Sequence, residues 1–547
     1  MELENISDRQ KTNSKIQGDY ATPEVLAKFL VNWAIQNPND AVVEPCCGNG
    51  VFLEAIAHRV LHLGGNKADI NRIVGVEIEP IAAKQANVRL FNRFQAYPKI
   101  IPKGFFATLP SLPMESFDAV IGNPPFVGYK YFFKDERELA LGFLREQGFK
   151  ASKLANAWVP FLVAGMRLLK PEGRLAMILP AGLLQVSYAS EIREYLLDSF
   201  GFVVVYAFDN LVFPDVEQEI ILLLGTKGEK KGLRLIEVKD ETELAEPVHL
   251  NQSSPQIPVE DSKEKWTQYF LTNNQREILR KALVTDSIHR LGQLCSVDVG
   301  VVTGKNDFFV LPEDDAQKLE AQDHLLPIVT RTMYLRGLVF TKNDWVENKY
   351  SDRPSYLLAI KPTIGFSENL KQYINRGELD GCHRNFKCRN RNPWYVVPSI
   401  WIPDAFLFRQ IGSFPRLILN STKATCTDTL HRVKFKKKGL EKFIISCFHN
   451  SLTLAFAEIF GRSYGGGVLE LMPTEAEKLP IPIPKSEPSG LLSEMDELIR
   501  KGLPDKAIDL CDERILIEEL GFKKDDISVI RGAWKNLSNR RKSRKRR

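Results

Sequence analysis

Between residues 40 and 226, short apolar runs alternate with stretches whose apolar residues recur at helical spacing. Ala41-Val42-Val43-Glu44 and Ile73-Val74-Gly75-Val76-Glu77 read as strands, as do Phe117–Gly122, Arg174–Leu179, Val203–Phe208 and Ile220–Leu224. Unbroken apolar runs of this length fit strands buried on both faces. Between them, Val51–Leu63, Pro80–Phe94, Leu154–Leu169 and Ser190–Ser199 read as helices. The alternation predicts a doubly wound α/β sheet, with ligands at the carboxyl ends of its strands. Val203–Leu224 has no room for a crossover helix, so the last strand is predicted antiparallel.

Beyond residue 230 that rhythm stops. Lys227-Gly228-Glu229-Lys230-Lys231-Gly232 reads as a polar linker. The stretch 231–485 mixes aromatic and polar residues irregularly. After Pro482-Ile483-Pro484, helical spacing returns at Leu491, Leu492, Met495, Leu498, Ile499, Ala507, Leu510, Ile515 and Leu516. The chain is therefore expected to divide at 1–230, 231–485 and 486–547, in keeping with the domains that 547 residues require.

Composition narrows the class. The chain is 44% hydrophobic and 26% charged, as soluble globular proteins are. No apolar stretch reaches transmembrane length, and the N-terminus is too acidic for a secretory signal. Eight cysteines follow no framework spacing, which fits reduced thiols. The net charge is +6, but the last 17 residues, Arg531–Arg547, hold nine Lys/Arg and no acid. Taking those nine from the 74 basic residues leaves 65 against 68 acids, so the body is slightly acidic. The tail either contacts phosphate or is disordered. Any nucleic acid must be held by local basic patches on the body.

The chemistry concentrates at Asn123-Pro124-Pro125-Phe126, directly after the Phe117–Gly122 run. Each proline fixes φ, removes an N–H and steers the preceding residue away from helix. The result is a stiff loop at a strand end, with one amide, one carbonyl and one ring. The Asn123 side-chain oxygen and the Pro124 carbonyl can each accept from a planar NH2 group, with Phe126 against its face. The same residues also suit a plain turn beside a core phenylalanine. Upstream, Glu44-Pro45-Cys46-Cys47-Gly48-Asn49-Gly50 joins the first strand to a helix through a Gly-x-Gly turn, where backbone can approach a ligand. Glu77 ends the second strand, placed for the hydroxyls of a ribose or for solvent.

Together these motifs resemble the S-adenosylmethionine-dependent amino-methyltransferases of DNA. The chain is most similar to the gamma-class, TaqI-like N6-adenine enzymes of type II restriction–modification systems. Gln17-Gly18-Asp19-Tyr20-Ala21-Thr22-Pro23-Glu24 resembles their N-terminal Thr-Pro motif, within 15–35. Arg167–Arg174 resembles their entry to the fifth strand, and Val212-Phe213-Pro214 the place of a second aromatic. The likeness covers about 15–226. It implies a seven-stranded methyltransferase domain with a Rossmann-like fold, its last strand antiparallel. A mixed α+β target-recognition domain and a helical tail would follow.

The resemblance further implies that Thr22, Glu44, Cys46, Gly48, Gly50, Glu77, Phe105 and Phe161 bind S-adenosylmethionine. Glu44 would lie near the methionine amino group and Glu77 at the ribose. Asn123, Pro124, Pro125 and Phe126 would form the catalytic loop, with Phe126 and Phe213 stacking on a flipped adenine. Two departures stand out. The family often places an acid after the third strand for the cofactor's adenine amino group, but Pro102-Lys103-Gly104-Phe105-Phe106-Ala107 has none. Phe126 also replaces the commoner tyrosine.

In 231–485, Asn385-Phe386-Lys387-Cys388-Arg389-Asn390-Arg391 interleaves cations, amides and an aromatic, which suits phosphates and base edges. Lys387, Arg389, Arg391 and Arg462 are the DNA-binding candidates; a solvated loop fits the first three equally. No metal site is expected, because Cys382-His383 and Cys388 lack a second cysteine pair. The implied partners are double-stranded DNA and a separately encoded restriction endonuclease. The implied state is a cytoplasmic prokaryotic monomer without a membrane partner. Three rivals remain: a ribosomal RNA or protein-glutamine methyltransferase, a fused restriction–modification enzyme, and a binding protein without catalysis.

Overall fold

The computed structural model describes residues 22–150, 156–212, 219–228, 232–244, 263–464 and 466–543. The chain forms two units: Met1–Phe270 with Ser543–Arg547, and Leu271–Lys542. Phe213, the Gln17–Ala21 part of the N-terminal motif and the last four tail residues lie outside the described residues.

The first unit is a mixed α/β sheet. Its strands are β1 (Val42–Glu44), β2 (Val74–Val76), β3 (Lys99–Ile101), β4 (Phe117–Gly122), β5 (Leu169–Pro180), β6 (Phe200–Phe208), β7 (Ile220–Lys227) and β8 (Leu233–Val238). They lie in the order β3-β2-β1-β4-β5-β7-β6-β8. The β3-β2-β1-β4-β5 run is parallel. β7 is antiparallel to both β5 and β6.

The antiparallel strand expected at 220–224 is β7, but the expected count of seven strands needs correction. Among the described residues the sheet has eight strands, and β8 runs parallel to β6. Polar Lys227–Gly232 therefore leads into β8, and the first unit extends past residue 230. β8 escapes sequence reading because its middle, Arg234 to Glu237, is only half covered or exposed, so no apolar run marks it. β3, with an exposed lysine and two half-buried isoleucines, is similarly faint.

The strands read as unbroken apolar runs because both sheet faces are covered. Successive side chains alternate between two apolar clusters. Val43, Val120, Leu175 and Met177 enter one, with Trp158, Phe161 and Leu162 of the helix Trp158–Leu168. Val42, Ala119, Ile121 and Ala176 enter the other, with Leu30 of Glu24–Ala34 and Ile56 of Val51–His62. This sandwich fixes the strand ends from which the site is built.

The second unit mixes short strands with helices. Cys295–Val299, Leu430–Phe435, Ala405–Phe408, Leu417–Asn420 and Val339–Phe340 form a five-stranded sheet. The helices Leu491–Arg500, Pro504–Cys511 and Lys524–Ser543 belong to this unit up to Lys542 rather than forming a body of their own. Among the described residues no single helix is long and apolar enough to cross a membrane.

Where it is described, the basic C-terminal segment is not disordered. Through Ser543 it is helix. Arg531 and Lys535 face Asp505, and Arg531 also pairs with Asp509 at 2.7 Å. Arg541 is buried against Glu458, forking onto both carboxylate oxygens at 2.9 and 2.7 Å. It also donates to the carbonyl of Gly412. Removing one member of such a pair leaves the other charge buried and bare. Arg541→Ala is therefore expected to lower unfolding free energy by about 3–5 kcal/mol in urea titrations. A loss near zero would show that the tail is dispensable to the fold.

Candidate active site

A cavity of about 360 Å³ opens at the carboxyl ends of β1, β2 and β4. Thr22, Glu44, Cys46, Gly48, Glu77, Phe105, Asn123, Pro125 and Phe161 all line it, although they span 140 residues of chain from Thr22 to Phe161. Gly50, Pro124 and Phe126 are not part of that wall.

Gly50 serves the wall from behind. Its φ is +88°, and a Cβ there would stand 2.9 Å from the Ala86 Cβ. Only glycine lets Val51–His62 begin so close to Pro80–Phe94. Phe126 is half-buried and packs against both apolar clusters of the sheet. Gly48 donates its N–H to Glu77 Oε2 at 2.7 Å, and Glu79 donates its own to Glu77 Oε1 at 2.9 Å. The Glu77 carboxylate thus locks the Gly-x-Gly turn to the end of β2.

The Asn123 loop is pinned from both sides. The Cys46 thiol donates to the Asn123 carbonyl at 3.3 Å. Asn123 Nδ2 donates to Thr22 Oγ1 at 3.2 Å. That bond turns Asn123 Oδ1 the other way, and Oδ1 is buried without a partner. Glu44 Oε2 is likewise buried and unpartnered. Unpaired buried acceptors are costly, so two in one cavity are donor sites in waiting.

The charge of the wall is one-sided. Glu44, Glu77, Glu79 and Glu136 line it, with no lysine or arginine among the described lining residues. Such a wall repels phosphate, so the Gly-x-Gly turn here does not suit a pyrophosphate. It suits a cation with hydroxyl and amino groups. Glu44 is 1% exposed, and burial together with the charge of Glu77 holds its carboxyl well above the ordinary range. Burial beside the same carboxylates pushes the Cys47 thiol far up, so it is no nucleophile.

Sequence reading missed Glu136, Glu79 and the aromatic run Tyr131-Phe132-Phe133, all on the wall. The aromatic run, five residues beyond Phe126, was a visible signal. Glu136 gave none. Inside the cavity Phe105 and Phe161 stack, with centroids 5.2 Å apart and planes at 16°.

The DNA-binding candidates of the second unit divide. Lys387 and Arg389 are exposed and flank the ring of Phe386, itself 63% exposed. Arg391 instead donates to the carbonyls of Val302 and Thr303, each at 2.7 Å. Arg462 is held by Glu475 Oε1 at 3.0 Å. Arg391 braces its own loop, and Arg462 ties the strand Arg462–Tyr464 to the helix Pro473–Ala476.

Comparison with known proteins finds matches along most of the chain. The N-6 DNA Methylase family model matches residues 5–276. The model for the C-terminal domain of the type II methyltransferase M.Eco57I matches residues 263–516. The chain is 24% identical over 489 residues to type II methyltransferase M.AccI of Acinetobacter calcoaceticus, covering 84% of each. It is 29% identical over 240 residues to type II methyltransferase M.TthHB8I of Thermus thermophilus, covering 42% of this chain and 50% of that one. The fold resembles that of the type IIL restriction–modification enzyme MmeI, solved with DNA. The TM-score is 0.57 at 11% identity, over 98% of this chain and 78% of that one.

A carboxyl held above its ordinary range binds its proton more tightly in the folded state than in the unfolded chain. It therefore subtracts stability as pH rises past the ordinary glutamate value. Glu44→Gln should melt higher than wild type without ligand, by a margin that widens as pH rises above the ordinary glutamate value. The same variant should bind a cationic ligand more weakly. A melting difference independent of pH would contradict the assignment.

Proposed function

The chain belongs to the N-6 DNA methylases of type II restriction–modification systems and is a DNA adenine methyltransferase, and we propose that its β1–β4 cavity takes S-adenosylmethionine while Asn123 and Pro124 hold the target N6. The observation that carries this is the buried, unpartnered Asn123 Oδ1 at the edge of a cavity walled by four glutamates.

The donor set fits the cofactor. Glu44 would meet the cationic methionine end, Glu77 the ribose hydroxyls, and Phe105 with Phe161 the flat heterocycle. When bound, the cofactor supplies an electrophilic methyl group on a sulfonium. Everything else falls to the protein. The N6 lone pair of adenine is delocalised into its ring, so the amine is a poor nucleophile. Asn123 Oδ1 and the Pro124 carbonyl accept its two hydrogens, favouring a pyramidal nitrogen whose lone pair is free. That interaction strengthens as the new bond forms, which is where it lowers the barrier. The rigid Pro-Pro backbone supplies positioning without an ordering cost at the moment of reaction. The proton leaves after transfer, so no general base is required.

Adenine reaches this loop only outside the duplex. We assign Phe126 to one face of the extruded base, with Phe213 as the expected second ring. The 271–485 region of the second unit would read the target, with Lys387 and Arg389 free for phosphate or base edges. The protein would act as a monomer on DNA in the cytoplasm and protect sites from a separately encoded restriction endonuclease.

The test is methyl transfer to unmodified plasmid. Wild type should form N6-methyladenine without cutting. Asn123→Ala should lower kcat by about 10²-fold or more while cofactor affinity holds. An Asn123→Ala enzyme with wild-type kcat would overturn the assignment.

A further inference from the structure

We propose that Glu136 is the group that reads the cofactor's heterocycle, its carboxylate accepting the exocyclic amino group of the adenosyl ring. The inference rests on the cofactor reading of the cavity given above.

Glu136 lies in the first turn of the helix Lys134–Glu146, beyond the Asn123 loop. Its side chain reaches back to the segment after β3. Oε2 accepts from the Phe106 N–H at 2.8 Å and Oε1 from the Ala107 N–H at 3.1 Å. The residue is 6% exposed and lines the cavity. Gly104, where a side chain after β3 would face the site, has none. A Cβ built on it would land on the Glu136 carboxylate. The segment Pro102–Ala107 thus lacks an acid because another element's acid fills that room.

The chemistry of this group is narrow. An ionised carboxylate only accepts, and each oxygen spends one lone pair on backbone. The remaining lone pairs need a donor. No lysine or arginine among the described lining residues offers one. Phe105 directly precedes the two amides that hold Glu136, and its ring stacks on Phe161. Flat apolar faces beside an acceptor-only group select a heteroaromatic ring bearing an amino group. A ring with an oxo group at that position would set oxygen against oxygen.

A purely structural role, holding the short turn Phe105–Thr108, would also explain the two backbone bonds. It weakens every ligand alike, whereas reading the ring changes the ratio between ligands. The experiment measures Kd by calorimetry for S-adenosylhomocysteine and for S-inosylhomocysteine, which carries oxo in place of amino. The proteins are wild type, Glu136→Gln and Gly104→Ala; the last displaces the carboxylate without altering Glu136. Wild type should prefer the adenosyl ligand by about 10- to 100-fold. Both variants should lose most of that preference, because the glutamine amide can donate to the oxo group. Variants that keep the wild-type ratio, however weak their binding, overturn the role of Glu136 and leave the cofactor reading intact. A wild type that binds neither ligand overturns both.

Discussion

Asn123 has one amide and two directions in which to present it. The hydrogen bond from its Nδ2 to Thr22 Oγ1 settles the choice, leaving Oδ1 buried and unpartnered. The prolines that follow cannot relax to remove the cost, because their φ angles are fixed. The Cys46 thiol holds the Asn123 carbonyl from the other side. Three separate chain segments therefore enforce one acceptor at one point. The parallel strands behind them, packed on both faces, keep that point still.

The same logic runs through the wall. Four glutamates gathered with no lysine or arginine among the described lining residues are poor for folding. Glu44 shows this most plainly, since burial and the charge of Glu77 make its ionised form costly in the empty cavity. A bound sulfonium with its ammonium group would reverse that penalty, turning a local cost in stability into affinity. Glu77 and Glu136 hold their places by accepting backbone N–H groups of the Gly-x-Gly turn and of the turn after β3. Structural bonds and ligand bonds share the same carboxylates.

Most of this site could be read from the chain. Buried parallel strands leave unbroken apolar runs, so β1, β2, β4 and β5 were evident, and the loops at their ends followed. β3 and β8 were not, because their exposed residues break the run. Glu136 was invisible for a different reason. Its role comes from a tertiary approach to Gly104, which no local spacing encodes. In the second unit, Lys387 and Arg391 read alike in sequence. Only the fold shows one exposed beside the Phe386 ring and the other tied to the Val302 and Thr303 carbonyls. The tail misled because its charge could be counted while the buried Glu458 partner could not be seen.

The central claim is that Asn123 Oδ1 waits for the amino group of an extruded adenine. The most direct measurement is a structure of the protein with duplex DNA containing its site and a cofactor analogue that cannot transfer methyl. The account predicts the target adenine outside the stack, with N6 within hydrogen-bonding distance (about 3 Å) of Asn123 Oδ1 and of the Pro124 carbonyl. An extruded adenine whose N6 points away from Asn123, or an Asn123 amide turned to present Nδ2, would contradict it.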